Sequence, residues 1–402
     1  AQPLKRLAKT LLEPRTEIKE LYFYDVSAWS LPYAFGVEAY WSPRAVEVKR
    51  EAVTAAPHRA GSVEQGEATT GYLIPWDQMS GVRAALALMK RGVEVRSAGK
   101  EFTLKGRAGG AGTLYVPRGG NVANLDDVVA EVARETGATV VPAPTGMTEK
   151  GIDLGSDQVR RLKSARVALL GGEGTSSTSF GASRFFLEEI YAIPHSIFSI
   201  ESLGNLDLED YSAVVIPNAY HRFDDGDVEK LRDFCREGGV VIAWGGTARA
   251  LGAEGAKLAR ISMRAAKDEK KKEAVAAKPK KIKDREEEDR KASAPGSIFR
   301  VELDPGHPLA FGYGSEIAVF KSGTATFDPN SGTAVGRFRD TPRLSGYLNE
   351  ENDQKMRGRG YAMAQRLGRG QVVFFAEDPN FRSAWHGLSR LLLNGIILLP
   401  RD

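Results

Sequence analysis

A single cysteine, Cys235, is the only thiol in 402 residues. That excludes an intramolecular disulfide and a cysteine-rich zinc site. Histidine is also scarce: His58, His195, His221, His307 and His386 are all there are. None is followed by glutamate at the third position, and no two stand at His-x-x-x-His spacing, so the common zinc-peptidase patterns are missing. No run of about 18 uncharged apolar residues occurs, so no membrane span is expected. The opening residues Ala1-Gln2-Pro3-Leu4-Lys5-Arg6 lack an initiator methionine and the apolar core of a signal peptide. The chain reads as processed, or as a piece of something longer.

A basic bias is also lacking once the charge is located. Between Arg264 and Lys291 there are 12 basic and 8 acidic residues, the whole of the net +4. The remainder is neutral overall, which argues against nucleic acid as a partner. The segment itself, about 264–294, is a charged insertion, either a solvated helix or a mobile polyampholyte. Its run Glu286-Glu287-Glu288-Asp289 would repel phosphate, and no aromatics interleave for base stacking.

What is present is α/β patterning in three stretches: 1–70, 71–162 and 163–402. The first opens with an amphipathic helix, Leu4 to Leu12. An aromatic run follows from Leu21 to Val37, read as a packed strand and turn or as a surface that stacks peptide or glycan. Residues 50–70, polar with Pro57, Gly61 and Gly66, read as a linker or exposed loop. Residues 71–162 read as a small α/β domain, with helices at Val82–Lys90 and Leu125–Thr136. Its hairpin is expected to turn at Gly109–Gly112. In 163–402 the strand patterns Arg166–Leu170, Ser196–Ile200, Asp210–Asn218 and Val240–Trp244 alternate with helices over Gly181–Tyr191 and Asp224–Arg236. That order predicts a doubly wound, mostly parallel sheet. Gly370–Ala376 and the apolar helix Trp385–Leu399 are expected to complete it, leaving the charged segment as an insertion.

Ligands and nucleophiles of open α/β sheets sit beyond the carboxyl ends of the strands. Three loops are therefore expected to converge on one crevice. Gly172, Glu173, Gly174, Thr175 and Ser176 form a strand-to-helix loop that lacks the lysine of a P-loop, and Glu173 would oppose a phosphate. His221 and Asp224 form a His-x-x-Asp pair, read either as a helix cap or as half of a metal site. Gly245, Gly246 and Thr247 form an elbow with no cysteine or serine at its turn. Thr247 is a poor substitute, because a β-branched residue is disfavoured at positive φ. Cys235, next to Phe234 in a helix, reads as core.

Two groups of residues together resemble known families. Tyr24-Asp25-Val26-Ser27-Ala28-Trp29-Ser30-Leu31-Pro32 with Gly36, Gly71-Tyr72-Leu73-Ile74-Pro75 and Gly112-Thr113-Leu114 resemble the region downstream of the catalytic domain in bacterial secreted zinc carboxypeptidase-like proteins. Arg166–Leu251 with Gly370–Leu399 resembles the class I glutamine amidotransferase-like domain, with its flavodoxin-like sheet, that often ends those proteins. The metallocarboxypeptidase zinc ligands have no counterpart here. The amidotransferase elbow cysteine falls on Gly245-Gly246, and its His-x-Glu falls near Ala376–Asp378, which has no histidine. Neither active site transfers to any residue of this chain.

The resemblance implies a secreted or periplasmic, non-catalytic accessory region. It would support a peptidase domain lying outside this chain, joined to it or associated with it, bind a peptide, or mediate assembly. No cofactor is expected in the chain itself; zinc would belong to that peptidase domain. Two alternatives remain at this point. One is a divergent amidotransferase-like hydrolase working in the crevice of Gly171–Ser176, His221 and Gly245–Thr247. The other is a peptide- or glycan-binding module using the aromatic stretch from Tyr22 to Trp41.

Overall fold

Four uninterrupted apolar runs fix the architecture, because a strand buried on both faces must be apolar at every position. A computed structural model describes residues 3–15, 27–42, 44, 46–49, 54–55, 60–265 and 294–401. The chain divides into two compact units, one of Ala1–Gly36 with Ala165–Asp402 and one of Val37–Ser164. The 1–70 stretch is thus shared between them. Its first part is tied into the larger unit at Ser27. The Ser27 N–H and hydroxyl both donate to the Gly296 carbonyl, at 2.9 and 2.8 Å, and its Oγ accepts from the Tyr347 N–H at 2.9 Å. The amphipathic helix forms at Lys5–Leu12. The aromatic positions before Ser27, His58 and the charged segment 266–293 lie outside the described residues.

The smaller unit has a six-stranded sheet in the order 62–63, 139–143, 71–74, 114–117, 96–98, 159–161. Only its first pair is parallel. Helices Met79–Lys90 and Leu125–Thr136 pack against each other. The expected hairpin turn at Gly109–Gly112 is corrected: Phe102–Leu104 turns at Lys105-Gly106 to pair with Arg107–Gly109. Both turn residues have positive φ, 52° and 73°, as a two-residue hairpin turn requires, and their N–H groups donate to the Glu149 carboxylate.

In the larger unit, β1 (Val167–Gly171) leads into α1 (Ser177–Phe185), and β2 (His195–Ser199) follows. Next come β3 (Ala213–Ile216), α2 (Asp225–Arg236), β4 (Val240–Trp244) and α3 (Gly245–Leu251). Beyond the charged segment lie β5 (Ser297–Leu303), β6 (Glu316–Lys321), β7 (Thr333–Ser345), β8 (Gly360–Leu367), β9 (Gly370–Phe375) and α4 (Ser389–Ile397).

The sheet runs β2-β1-β3-β4-β9-β8-β7-β5-β6. From β2 to β9 every pairing is parallel, and taken alone these five strands follow the flavodoxin order 2-1-3-4-5. From β9 to β6 every pairing is antiparallel. The expectation of a mostly parallel sheet is therefore corrected to a mixed one. The reason is local: β8 and β9 are joined by a tight hairpin, with Leu367 opposite Gly370, and hairpins permit only antiparallel neighbours. As expected, β9 closes onto β4.

Cys235 is buried at the end of α2, where its thiol donates to the Gln371 carbonyl, and burial pushes it up to about 12. It is a core residue. Beside it Gly370 lies against the backbone of the preceding helix end. A Cβ there would stand 2.0 Å from the Gly239 carbonyl oxygen and 2.6 Å from that of Cys235. Neither neighbour is a side chain that could rotate away. Gly370→Ala is expected to cost about 3 kcal/mol or more in unfolding free energy, read as a lower urea midpoint.

Candidate functional site

The parallel strands β1, β3, β4 and β9 deliver their carboxyl ends to one edge of the sheet, and the strand order reverses between β1 and β3. That switch point is where an α/β sheet opens a crevice. Here the two loops bordering it are bonded to each other. The Ser176 N–H donates to the Asn218 carbonyl at 2.8 Å, the Tyr220 N–H donates to the Gly174 carbonyl at 2.8 Å, and Thr175 bridges Ala219. Gly172, Glu173 and Gly174 lie exposed on the rim. Gly174 has φ +78°, and a Cβ on it would reach 3.2 Å from the Tyr220 carbonyl oxygen. The close contact of the two loops depends on its small size.

The elbow between β4 and α3 keeps the backbone of a nucleophile elbow without its side chain. Gly245 has φ +58°, the left-handed conformation such an elbow imposes. A Cβ at this position would meet the Asn218 side-chain oxygen at 2.8 Å. The next N–H, on Gly246, donates to that same Oδ1 at 2.7 Å. In an acyl-transfer enzyme this N–H would be free to stabilise an oxyanion. Asn218 occupies it with an amide oxygen from the protein itself. Thr247, expected at the crevice, is fully buried. Its hydroxyl donates to the Pro217 carbonyl at 2.6 Å and accepts from the Ala219 N–H at 2.8 Å. It ties α3 to the loop after β3 and is shut off from solvent.

His221 and Asp224 do not converge on a metal. Asp224 caps α2: its Oδ1 accepts from the Asp227 N–H at 2.9 Å, and Asp227 returns the bond to the Asp224 N–H at 3.2 Å. The His221 Nε2 faces Asp227, at 3.6 Å, and its ring packs edge-on against Phe223. Asp227 is the carboxylate beside the imidazole, and the oxygen that faces it, Oδ2, already serves the capping box. Among the described residues no three histidine, cysteine or acidic side chains gather as metal ligands do.

Sequence reasoning missed Ser179, on α1. Its Oγ donates to Asp378 Oδ2 at 2.8 Å and accepts from the Trp244 Nε1–H at 2.8 Å and the Asn218 N–H at 3.4 Å. One buried hydroxyl therefore joins α1 to the ends of β3, β4 and β9. The only available sign in the sequence was a serine where α1 turns its buried face inward, and serine is too common there to be read.

Asp378, just past β9, is buried, and burial pushes its carboxyl up to about 7 against the bonds from Ser179, the Asn380 N–H and Trp244. Lys321, at the end of β6, is buried too and held below the usual lysine range by desolvation, with Glu377 opposing the shift. Its Nζ donates to the carbonyls of Ala376 and Ser322, at 3.3 and 3.2 Å. Tyr361, on β8, has a fully buried hydroxyl with no hydrogen-bond partner among the described residues.

No protein-family model matches the chain, and no curated protein matches it. Solved structures are similar at low identity. A ThuA-like protein from Parabacteroides merdae is 13% identical, over 58% of this chain and 89% of that one, with a TM-score of 0.38. A glutamine amidotransferase from Thermotoga maritima is 12% identical, over 58% and 96%, with a TM-score of 0.32. A β-galactosidase from Bacillus circulans sp. alkalophilus is 12% identical over 57% of this chain, with a TM-score of 0.34, and the matched part spans only 31% of its length.

Two outcomes follow from this geometry. Gly245→Ala should destabilise the protein by about 1–3 kcal/mol, from the positive φ and the contact with Asn218. Combined with Asn218→Ala, the loss should be smaller than the sum of the two single losses, as a double-mutant cycle in urea would show. For Asp378, the folded value near 7 exceeds the ordinary 3.8. Its contribution to stability is therefore fully present below about pH 4, falls as pH rises towards about 7, and is flat above. Asp378→Asn should flatten that fall, measured as thermal midpoints across the range.

Proposed function

We propose that this chain is a non-catalytic accessory region. In this reading it is secreted or periplasmic and belongs with a zinc carboxypeptidase-like peptidase domain that lies outside it. The observation that supports a non-catalytic role is Asn218. Its amide oxygen stands at the elbow where a nucleophile's side chain would project, and it accepts from the one N–H that an oxyanion would need. An enzyme of this shape leaves both places open for substrate. Here the same atoms brace the strand ends, which suits a domain whose task is to hold or present something rather than to transform it.

A ligand-holding role would use the rim outside the braced crevice. Tyr220 is 87% exposed there, beside the glycine-rich loop Gly172–Gly174. A ring on a loop anchored at both ends can stack on a peptide or sugar at low entropic cost. The hydrolase alternative would use the crevice of Gly171–Ser176, His221 and Gly245–Thr247; of these, the Thr247 hydroxyl is bonded to Pro217 and Ala219 and the His221 Nε2 faces Asp227.

The test is turnover. The purified chain should hydrolyse neither peptides with free carboxyl termini nor glutamine, with zinc or without. Robust turnover that survives Asn218→Ala and scales with enzyme concentration would overturn the reading. If only the wild type turned over and Asn218→Ala did not, Asn218 would be a catalytic group, and the reading would fail equally.

A further inference from the structure

We propose that the N-terminal helix, Lys5–Leu12, docks on an anionic lipid surface. At about 100° per residue, Leu4, Leu7, Ala8, Leu11 and Leu12 fall on one arc of the helix, and Lys5, Lys9, Arg6 and Thr10 on the other. A globular protein lays such an arc of leucines on its core. This helix does not: none of its residues is buried, and Leu4, Leu7 and Leu12 are 65%, 51% and 49% exposed. Most of the other described leucines of the same unit are buried, so the exposure is concentrated in this element and its neighbour.

The apolar surface continues onto a neighbour. The helix touches a short one, Leu31–Phe35, whose Leu31 and Phe35 are also exposed, as is Trp29 just before it. Aromatic side chains of this kind settle at the level of lipid headgroups.

Charge selects the occupant. The helix carries three cations and no acid, and among the described residues no carboxylate forms a salt bridge with Lys5, Arg6 or Lys9. Long basic side chains beside an apolar arc can reach headgroup phosphates while the leucines enter the acyl boundary. A lipid surface supplies apolar depth and a continuous negative field together. An acidic protein groove would have to match both at once over a helix of eight residues. This is peripheral docking and needs no spanning segment; no described helix is long and apolar enough to cross a membrane. The inference stands apart from the question of catalysis, because it uses no residue of the strand-end site.

Flotation of the full-length chain with vesicles tests it. One set is pure phosphatidylcholine, and the other is three parts phosphatidylcholine to one part phosphatidylglycerol. The chain should float with the second set and much less with the first, and added salt should release it. Leu7→Glu, and separately the pair Lys5→Glu with Lys9→Glu, should each weaken binding roughly tenfold or more. Because these side chains are exposed, thermal midpoints should stay at the wild-type value, which separates lost docking from lost folding. Equal flotation with both sets, or none with either, would overturn the proposal. So would Leu7→Glu floating like the wild type. Self-association that Leu7→Glu abolishes, without vesicle binding, would assign the face to a second copy instead.

Discussion

One buried hydroxyl holds the working edge of the larger unit together. The Ser179 Oγ uses its single proton on Asp378 and both lone pairs on N–H donors, from Trp244 and Asn218. Each of these partners would be costly to bury unpaired. Trp244 and Asp378 are far apart in sequence; they come from the ends of the neighbouring strands β4 and β9, which meet only because the sheet brings them together. The serine therefore reports the assembled parallel half rather than any local preference. Its saturation also bears on chemistry. A serine that is to attack a carbonyl needs a base to take its proton and an open side from which to approach. Ser179 is 7% exposed and already donates to a carboxyl.

The elbow makes the same point from the backbone side. A left-handed residue between a strand and a helix is costly for any residue but glycine, so enzymes that place a nucleophile there accept strain for exposure. This chain keeps the turn and removes the strain by placing Gly245 in it. The space and the N–H that are released do not remain open. Asn218, from the neighbouring loop, enters both. Thr247, two residues later, completes the join by bonding Pro217 and Ala219. The loops after β3 and β4 behave as a single braced piece, and the loop after β1 is sewn to them through Ser176 and Gly174.

Much of this was legible in the sequence where the signal was local. The apolar runs at Val167–Leu170, Ala213–Ile216, Val240–Trp244 and Val372–Phe375 could only be buried strands, and Asp224 announced the start of α2. The glycine elbow, and its lack of a nucleophile, were equally plain. What failed to show depended on partners far away in the chain. Whether β5 to β8 extend the sheet antiparallel depends on hairpin geometry and register, which alternation alone does not fix. The hairpin at Lys105-Gly106 was missed because Gly109–Gly112 offered more glycines. Gly109 in fact sits in a strand, where its missing side chain makes room for the Phe102 ring across the pair. Thr247 was placed in the crevice because it follows two glycines, but α3 begins at Gly245 and rotates it inward.

The charged side chains buried at the end of β9 follow from the mixed sheet. A parallel strand that ends beside an antiparallel one leaves main-chain groups with no ladder partner on that side, and these must be satisfied or they penalise folding. Lys321 closes β6 by donating to the carbonyls of Ala376 and Ser322, while Glu377 accepts from the Ser322 N–H and hydroxyl. Both side chains thus tie the end of β6, the outermost strand of the antiparallel half, to the chain just past β9. Desolvation lowers the Lys321 pKa and raises that of Asp378, so each is drawn towards its uncharged form. A lysine and a carboxyl held this way resemble an acid–base pair when read from residue type alone. Their hydrogen bonds run to the carbonyls of Ala376 and Ser322, to the Asn380 N–H and to Ser179.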